Sequence, residues 1–253
     1  MLQTDHALKD HRANHLARTV TPLVSPRVGR DLPGVSIDLT TELRWFFDGP
    51  LPADVRAWFM PDGIGLLERR SDRYLLDGRL DMGVKQRSRR TLELKLRTGL
   101  PQPASIADDV HGLVETWQRW SPADGLLTLD DDTVWVDIDK TIVKRRFGTD
   151  GQEKQLSEST RAMTGEGCDM EIAALSANGR EAWTFAFAAF GQPDTQRDSV
   201  STAWRSLSMR HAPPDRLQLN IGWCYGYPEW ISKVMQLPTP TQNSFSGPQA
   251  ESS

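Results

Sequence analysis

The sequence predicts an α+β fold dominated by antiparallel strands, and two observations carry that reading. Strand-like runs outnumber helical ones, and most are bounded by Gly, Asp or Ser turns. Several gaps between runs are too short for a crossover, so neighbouring strands pair through hairpins. Seven or eight such strands with few helices imply a closed barrel or a sandwich.

The first strand lies in VSIDLTTELRWFFDG (35–49), where Thr40, Glu42 and Arg44 share one face and Leu39, Thr41, Leu43 and Trp45 the other. LPADVRAWFM (51–60) then places Val55, Trp58 and Phe59 at helical spacing behind Pro52, as a short helix against a sheet requires. Further strands are expected in DRYLL (72–76), GVKQR (83–87), TLELKLR (91–97), LVETWQRW (113–120), TVWVDIDKTIVKRRF (133–147), DMEIAAL (169–175) and EAWTFAFAAFG (181–191). GVKQR and TLELKLR form one hairpin about SRR. A second helix is expected in SVSTAWRSLSMR (199–210) and a third in YPEWISKVM (227–235), where Gly226 and Pro228 make a rigid helix entry that closes one end of the strand assembly.

The chain divides into a flexible N-terminal arm (1–34), a single domain (35–236) and a flexible C-terminal tail (237–253), the ends being rich in Pro, Gly and Ser. With 38% hydrophobic and 25% charged residues the chain is globular, and its net charge of −4 argues against a basic nucleic-acid binder. No run of eighteen apolar residues predicts a membrane span, and the charged N-terminus lacks a secretory core. Two cysteines, Cys168 and Cys224, make neither a disulfide framework nor a zinc pattern and read as reduced, partly buried thiols of a cytoplasmic protein. His6, His11 and His15 lack partners at metal-ligand spacing, and the acids of LDDDT (129–133) read as a solvated turn. The tryptophans Trp45, Trp58, Trp183 and Trp230 sit in apolar patterns and are read as packing residues. Trp117 alternates with Glu115 and Arg119, a placement open to either core packing or contact with a ligand ring.

Alternating charge is ordinarily the solvated face of a sheet. In the hairpin, however, Lys85, Arg87, Arg89, Arg90, Lys95 and Arg97 stand against the single acid Glu93, in a protein that is acidic overall. Like charges on neighbouring strands repel, and an anionic ligand held by charge-assisted hydrogen bonds would account for the clustering. Arg119, Lys140, Lys144 and Arg146 add cations later, and the acid pairs Asp137/Asp139 and Asp169/Glu171 each project two carboxylates to one side of a strand, where a hard divalent ion is held.

These elements resemble the CYTH-like superfamily of triphosphate tunnel metalloenzymes. The resemblance spans roughly residues 36–191. It rests on Thr40-x-Glu42-x-Arg44 in the frame of the family's Glu-x-Glu-x-Lys strand, on Lys85 and Arg87 of VKQR, and on Lys95 of LELKLR. It implies a closed antiparallel barrel of about eight strands with a few flanking helices, whose polar bore holds a triphosphate. Glu42 and Glu171 would then be catalytic, and Glu42, Asp169 and Glu171 would hold Mg2+ or Mn2+. Arg44, Lys85, Arg87, Lys95, Arg97, Arg119 and Lys140 would hold the substrate, with the later basic position open between Arg119 and Lys140. Thr40 departs from the pattern by replacing its first acid with a weak Mg2+ ligand, and Arg44 departs by replacing its lysine.

Two functions follow: metal-dependent hydrolysis of a triphosphate or polyphosphate-like anion, or a non-catalytic domain that binds such an anion with a degenerate metal site. A domain whose charges are only solvated is the third reading. The expected partner is a small phosphate-containing anion, with no nucleic acid and no membrane; the sequence does not fix the oligomeric state.

Overall fold

A computed structural model of the protein describes residues 35–122, 134–157 and 162–235. The expected arm with its three histidines, the LDDDT segment and the tail lie outside the described residues. In chain order the elements are β1 (Val35–Asp48), α1 (Ala53–Phe59), β2 (Leu66–Leu75), β3 (Met82–Arg87), β4 (Thr91–Arg97), β5 (Gln102–Ala107), β6 (Val110–Pro122), β7 (Trp135–Phe147), β8 (Glu153–Lys154), β9 (Gly167–Ala177), β10 (Arg180–Phe190), α2 (Gln196–Arg210) and α3 (Tyr227–Val234). Neighbouring strands follow the order β1-β10-β9-β7-β2-β3-β4-β6, and β6 pairs again with β1. That last pairing closes an eight-stranded antiparallel barrel and decides between barrel and sandwich. β5 and β8 are additions on β6 and β7.

Turn chemistry sets two of the hairpins. Asn178 and Gly179 both have positive φ (49° and 73°), as the two-residue turn between β9 and β10 requires. Ser88 and Arg89 also have positive φ (51° and 56°) between β3 and β4, although neither is Gly. The Ser88 N–H there donates to Asp72 Oδ1 at 3.2 Å, which ties this less favourable turn to the barrel interior.

The long strands alternate between two different surroundings. On the outside, Leu43 and Trp45 of β1 and Phe185 and Phe187 of β10 pack against Trp58 and Phe59 of α1 and Trp204 and Leu207 of α2. On the inside, Phe46, Tyr74, Ile138 and Leu175 join Trp230 and Ile231 of α3 in a second apolar cluster. Phe46 stacks on Trp230 at 5.2 Å and Tyr74 on Tyr227 at 5.4 Å, so α3 fills one end of the barrel with aromatic rings. Trp45, Trp58, Trp183 and Trp230 are all buried packing residues. Both thiols are buried and unbridged. Among the described residues no helix is long and apolar enough to cross a membrane.

The order of the strands is less local than a simple meander. β7 separates β2 from β9, and β1 bridges β6 and β10, so three of the eight barrel pairings, β1–β10, β1–β6 and β2–β7, join strands distant in sequence. β2 begins at Leu66, six residues before the strand expected from DRYLL.

Candidate functional site

Parity along the strands decides what the bore contains. In β4 the charged residue Glu93 is 4% exposed, whereas Leu92, Leu94 and Leu96 are half-buried on the outer surface. The polarity is the reverse of a wet-faced sheet: charge is inside and leucine outside. The same rule brings Glu42 and Arg44 of β1, Lys85 and Arg87 of β3, Arg119 of β6, Lys140 of β7 and Glu171 of β9 onto one cavity. Asp137 and Asp139, one residue out of phase with Lys140, point outward and are exposed.

The cavity lies inside the barrel above the aromatic plug. Eight basic side chains line it (Arg44, Arg70, Lys85, Arg87, Lys95, Arg119, Lys140 and Lys144) against four acids (Glu42, Glu93, Glu115 and Glu171). About 110 Å³ is open to the centres of water-sized spheres, room for several polar atoms of a ligand. Tyr74, Trp117 and Tyr227 supply its aromatic wall. β10 contributes the small neutral residue Ala188 to the wall, opposite Glu42 in the β1–β10 register.

Most interior cations share carboxylates. Lys85 Nζ and Arg87 Nε both lie 3.0 Å from Glu93. Arg44 donates to Glu171 at 2.9 Å and to Thr184 at 3.0 Å. Lys95 donates to Glu42 Oε1 at 2.5 Å, and the Thr40 hydroxyl donates to the same oxygen at 2.7 Å. Lys144 is held more loosely, 3.5 Å from Asp169 and 3.9 Å from Glu171. Lys140 donates to the Tyr74 hydroxyl at 2.6 Å, lies 3.9 Å from the centre of the Tyr227 ring and faces Asp72 at 3.3 Å. Asp72 also accepts from Arg70 Nε at 3.0 and 3.1 Å.

Burial and these neighbours set the protonation of the site. Burial would raise Glu42, but Lys95, Thr40 and Arg44 together hold its carboxyl below the ordinary value. Glu93 and Glu171 are likewise held well down against burial, Glu93 chiefly by Lys85 and Arg87 and Glu171 chiefly by Arg44 and Lys144. Among the lysines burial prevails: Lys85 is pushed down to about 8, although Glu93 opposes the change. Lys140 is driven well below the lysine range by burial, with Asp72 opposing. Burial also raises Glu115, whose Cα partner across β1 and β6 is Glu42 and which Arg97 and Trp117 hold by hydrogen bonds at 2.6 and 3.1 Å. Gly226 permits this packing, because a Cβ there would meet Glu115 Oε2 at 3.0 Å and the Trp117 ring at 3.1 Å.

Of the residues expected at the site, Glu42, Arg44, Lys85, Arg87, Lys95, Arg119, Lys140 and Glu171 line the cavity. Arg97 and Asp169 do not. Arg97 reaches Glu115, and Asp169 is bound by Arg146 at 2.6 and 3.0 Å. Arg70 and Tyr74 were missed because the charged start of β2 does not look like a strand, although Glu68, Arg70, Asp72 and Tyr74 fall at strict alternation.

The three carboxylates Glu42, Asp169 and Glu171 do not fit a divalent ion as arranged. Each is engaged by its own basic side chain, and among the described residues no three His, Cys, Asp or Glu side chains are grouped to hold a metal ion. The chain matches no protein-family model, no curated protein and no solved structure.

Proposed function

We propose that the barrel binds a small phosphate-containing anion, of the triphosphate or polyphosphate kind, as a divergent CYTH-like domain. The observation that carries this reading is the twofold excess of Lys and Arg over Glu on the cavity wall. Burying like charges together is costly without a counter-charge, and phosphate oxygens supply one while accepting several charge-assisted hydrogen bonds. Lys85 and Arg87 share one carboxylate, so an anion between them gains two donors while displacing a single acid. The aromatic plug keeps water from the far end of the bore.

Hydrolysis of the bound anion is the second reading, favoured by Glu42 and Glu171 lining the same cavity. Its check is phosphate release from inorganic triphosphate in the presence of Mn2+.

Calorimetric titration with inorganic triphosphate tests the binding reading. Saturable one-to-one binding is expected, weakened about tenfold in Lys85→Met, the cost of one charge-assisted hydrogen bond. Absence of both binding heat and a rise in melting temperature would remove the proposal.

The same titration has a pH signature. Lys85 loses its proton near pH 8 in the free protein because it is buried beside Arg87, despite Glu93. A bound anion favours the ammonium and raises that value, so binding takes up protons. Affinity is therefore full below about pH 8 and falls as pH rises from there, by at most about tenfold per unit for one proton. Heats measured at pH 8 in buffers of different ionisation enthalpy should reveal the uptake; identical heats would mean that Lys85 is not at the anion.

A further inference from the structure

We infer that the barrel holds its anion without a divalent metal, the ammonium of Lys95 and the guanidinium of Arg44 serving as fixed counter-ions on the carboxylates Glu42 and Glu171. This inference rests on the proposed anion site and concerns how that site is charged.

The partners of the three carboxylates support it. A carboxylate that ligates Mg2+ or Mn2+ gives the ion a lone pair on an oxygen. The Glu42 oxygen Oε1 already accepts from Lys95 and from Thr40, and Glu171 Oε1 accepts from Arg44. Asp169, the third acid, is turned to Arg146, which grips both its oxygens, and it does not reach the cavity wall. Thr40 takes part directly: the hydroxyl that occupies the place of an acid donates a hydrogen bond to Glu42, where a second carboxylate would repel it.

Thr40 and Lys95 therefore act together on Glu42. A glutamate at Thr40 would put two acids beside one another and call for a multivalent cation; a threonine needs only the single charge of Lys95. The cation is then part of the chain, 26% exposed and attached to β4, and stands on the same wall as Lys85 and Arg87. An anion entering the bore competes with Glu42 for Lys95 instead of sharing a metal with it.

That competition reverses the sign of one substitution. If Glu42 were a metal ligand, Glu42→Gln would weaken metal-dependent binding. If Glu42 only neutralises Lys95, Glu42→Gln removes a negative charge from the anion's surroundings and frees the ammonium, so affinity should rise about tenfold. The experiment is calorimetry of inorganic triphosphate with wild type, Glu42→Gln and Lys95→Met, each in EDTA and again with Mn2+ in excess over triphosphate; melting temperatures confirm that each variant folds. The expected result is binding in EDTA that is tightened by Glu42→Gln and weakened by Lys95→Met. Binding that appears only with Mn2+, or weaker binding in Glu42→Gln, overturns the inference and leaves the anion site standing. No change in Lys95→Met overturns the counter-ion role of Lys95, and absence of binding in both media removes the anion site and the inference with it.

Discussion

Replacing Asp72 by Asn is expected to destabilise the fold by about 3–5 kcal/mol, the cost of breaking a buried ion pair by removing one partner. Asp72 is fully buried and joins three elements. It accepts from Arg70 Nε on its own strand at 3.0 and 3.1 Å and from the Ser88 N–H in the β3–β4 turn at 3.2 Å, and it faces Lys140 of β7 at 3.3 Å. Lys140, Lys85 and Arg70 hold the carboxyl down at about 2 even though burial acts to raise it. An amide keeps the shape but loses the charge, leaving two buried cations with less compensation. Arg70 retains Glu68 at 2.6 Å, and Lys140 can shed its proton, which together keep the loss from being larger. Urea unfolding measures the effect. A loss of less than about 1 kcal/mol, the value of an ordinary surface pair, would mean that Asp72 does not organise the interior.

Acid should unfold the protein as a whole. The folded-state values of Glu42, Asp72, Glu93 and Glu171 all lie below their ordinary ones, because neighbouring cations outweigh burial. A carboxyl depressed in the folded state contributes stability that is present above its unfolded value and lost as pH falls through the folded one. A carboxyl held at about 2, as that of Asp72 is, contributes about 2.6 kcal/mol at neutral pH, and Glu42, Glu93 and Glu171 act in the same sense. Glu115 acts in the opposite sense, since burial raises it and its protonation favours the fold. Four against one leaves a net loss between about pH 4.5 and pH 2. Near-ultraviolet circular dichroism should show a cooperative transition in that window; an unchanged signal down to pH 2 would contradict the ionised interior.

The residues that carry these predictions were unevenly legible in the sequence. Period-two alternation put Glu42 with Arg44, and Lys85 with Arg87, on common faces, because side-chain direction in a strand is local. Whether those faces pointed to water or into a bore was not local. The same charge alternation describes either case, and only closure of β1 on β6 decides it. Arg97 shows the limit: its parity matches Lys95, yet its head turns to Glu115 across the β4–β6 pairing, which brings together residues about twenty apart in sequence. Asp169 fails the same way, since the strength of Arg146 on the next strand was not visible until β7 and β9 were paired. β5 escaped notice because Gln102, Pro103, Ala104 and Ser105 lack both alternation and bulk. The helices and the aromatic plug were clearer, as Val55, Trp58 and Phe59 of α1 and Trp230 of α3 are spaced for one buried face.

A crystal structure of the protein grown with inorganic triphosphate would show whether the bore is an anion site. Phosphate density is expected inside the barrel, within hydrogen-bond distance of Lys85 and Lys95 and above the ring of Tyr227. Triphosphate found only on the outer surface, with Lys85 still on Glu93 and Lys95 still on Glu42, would contradict it.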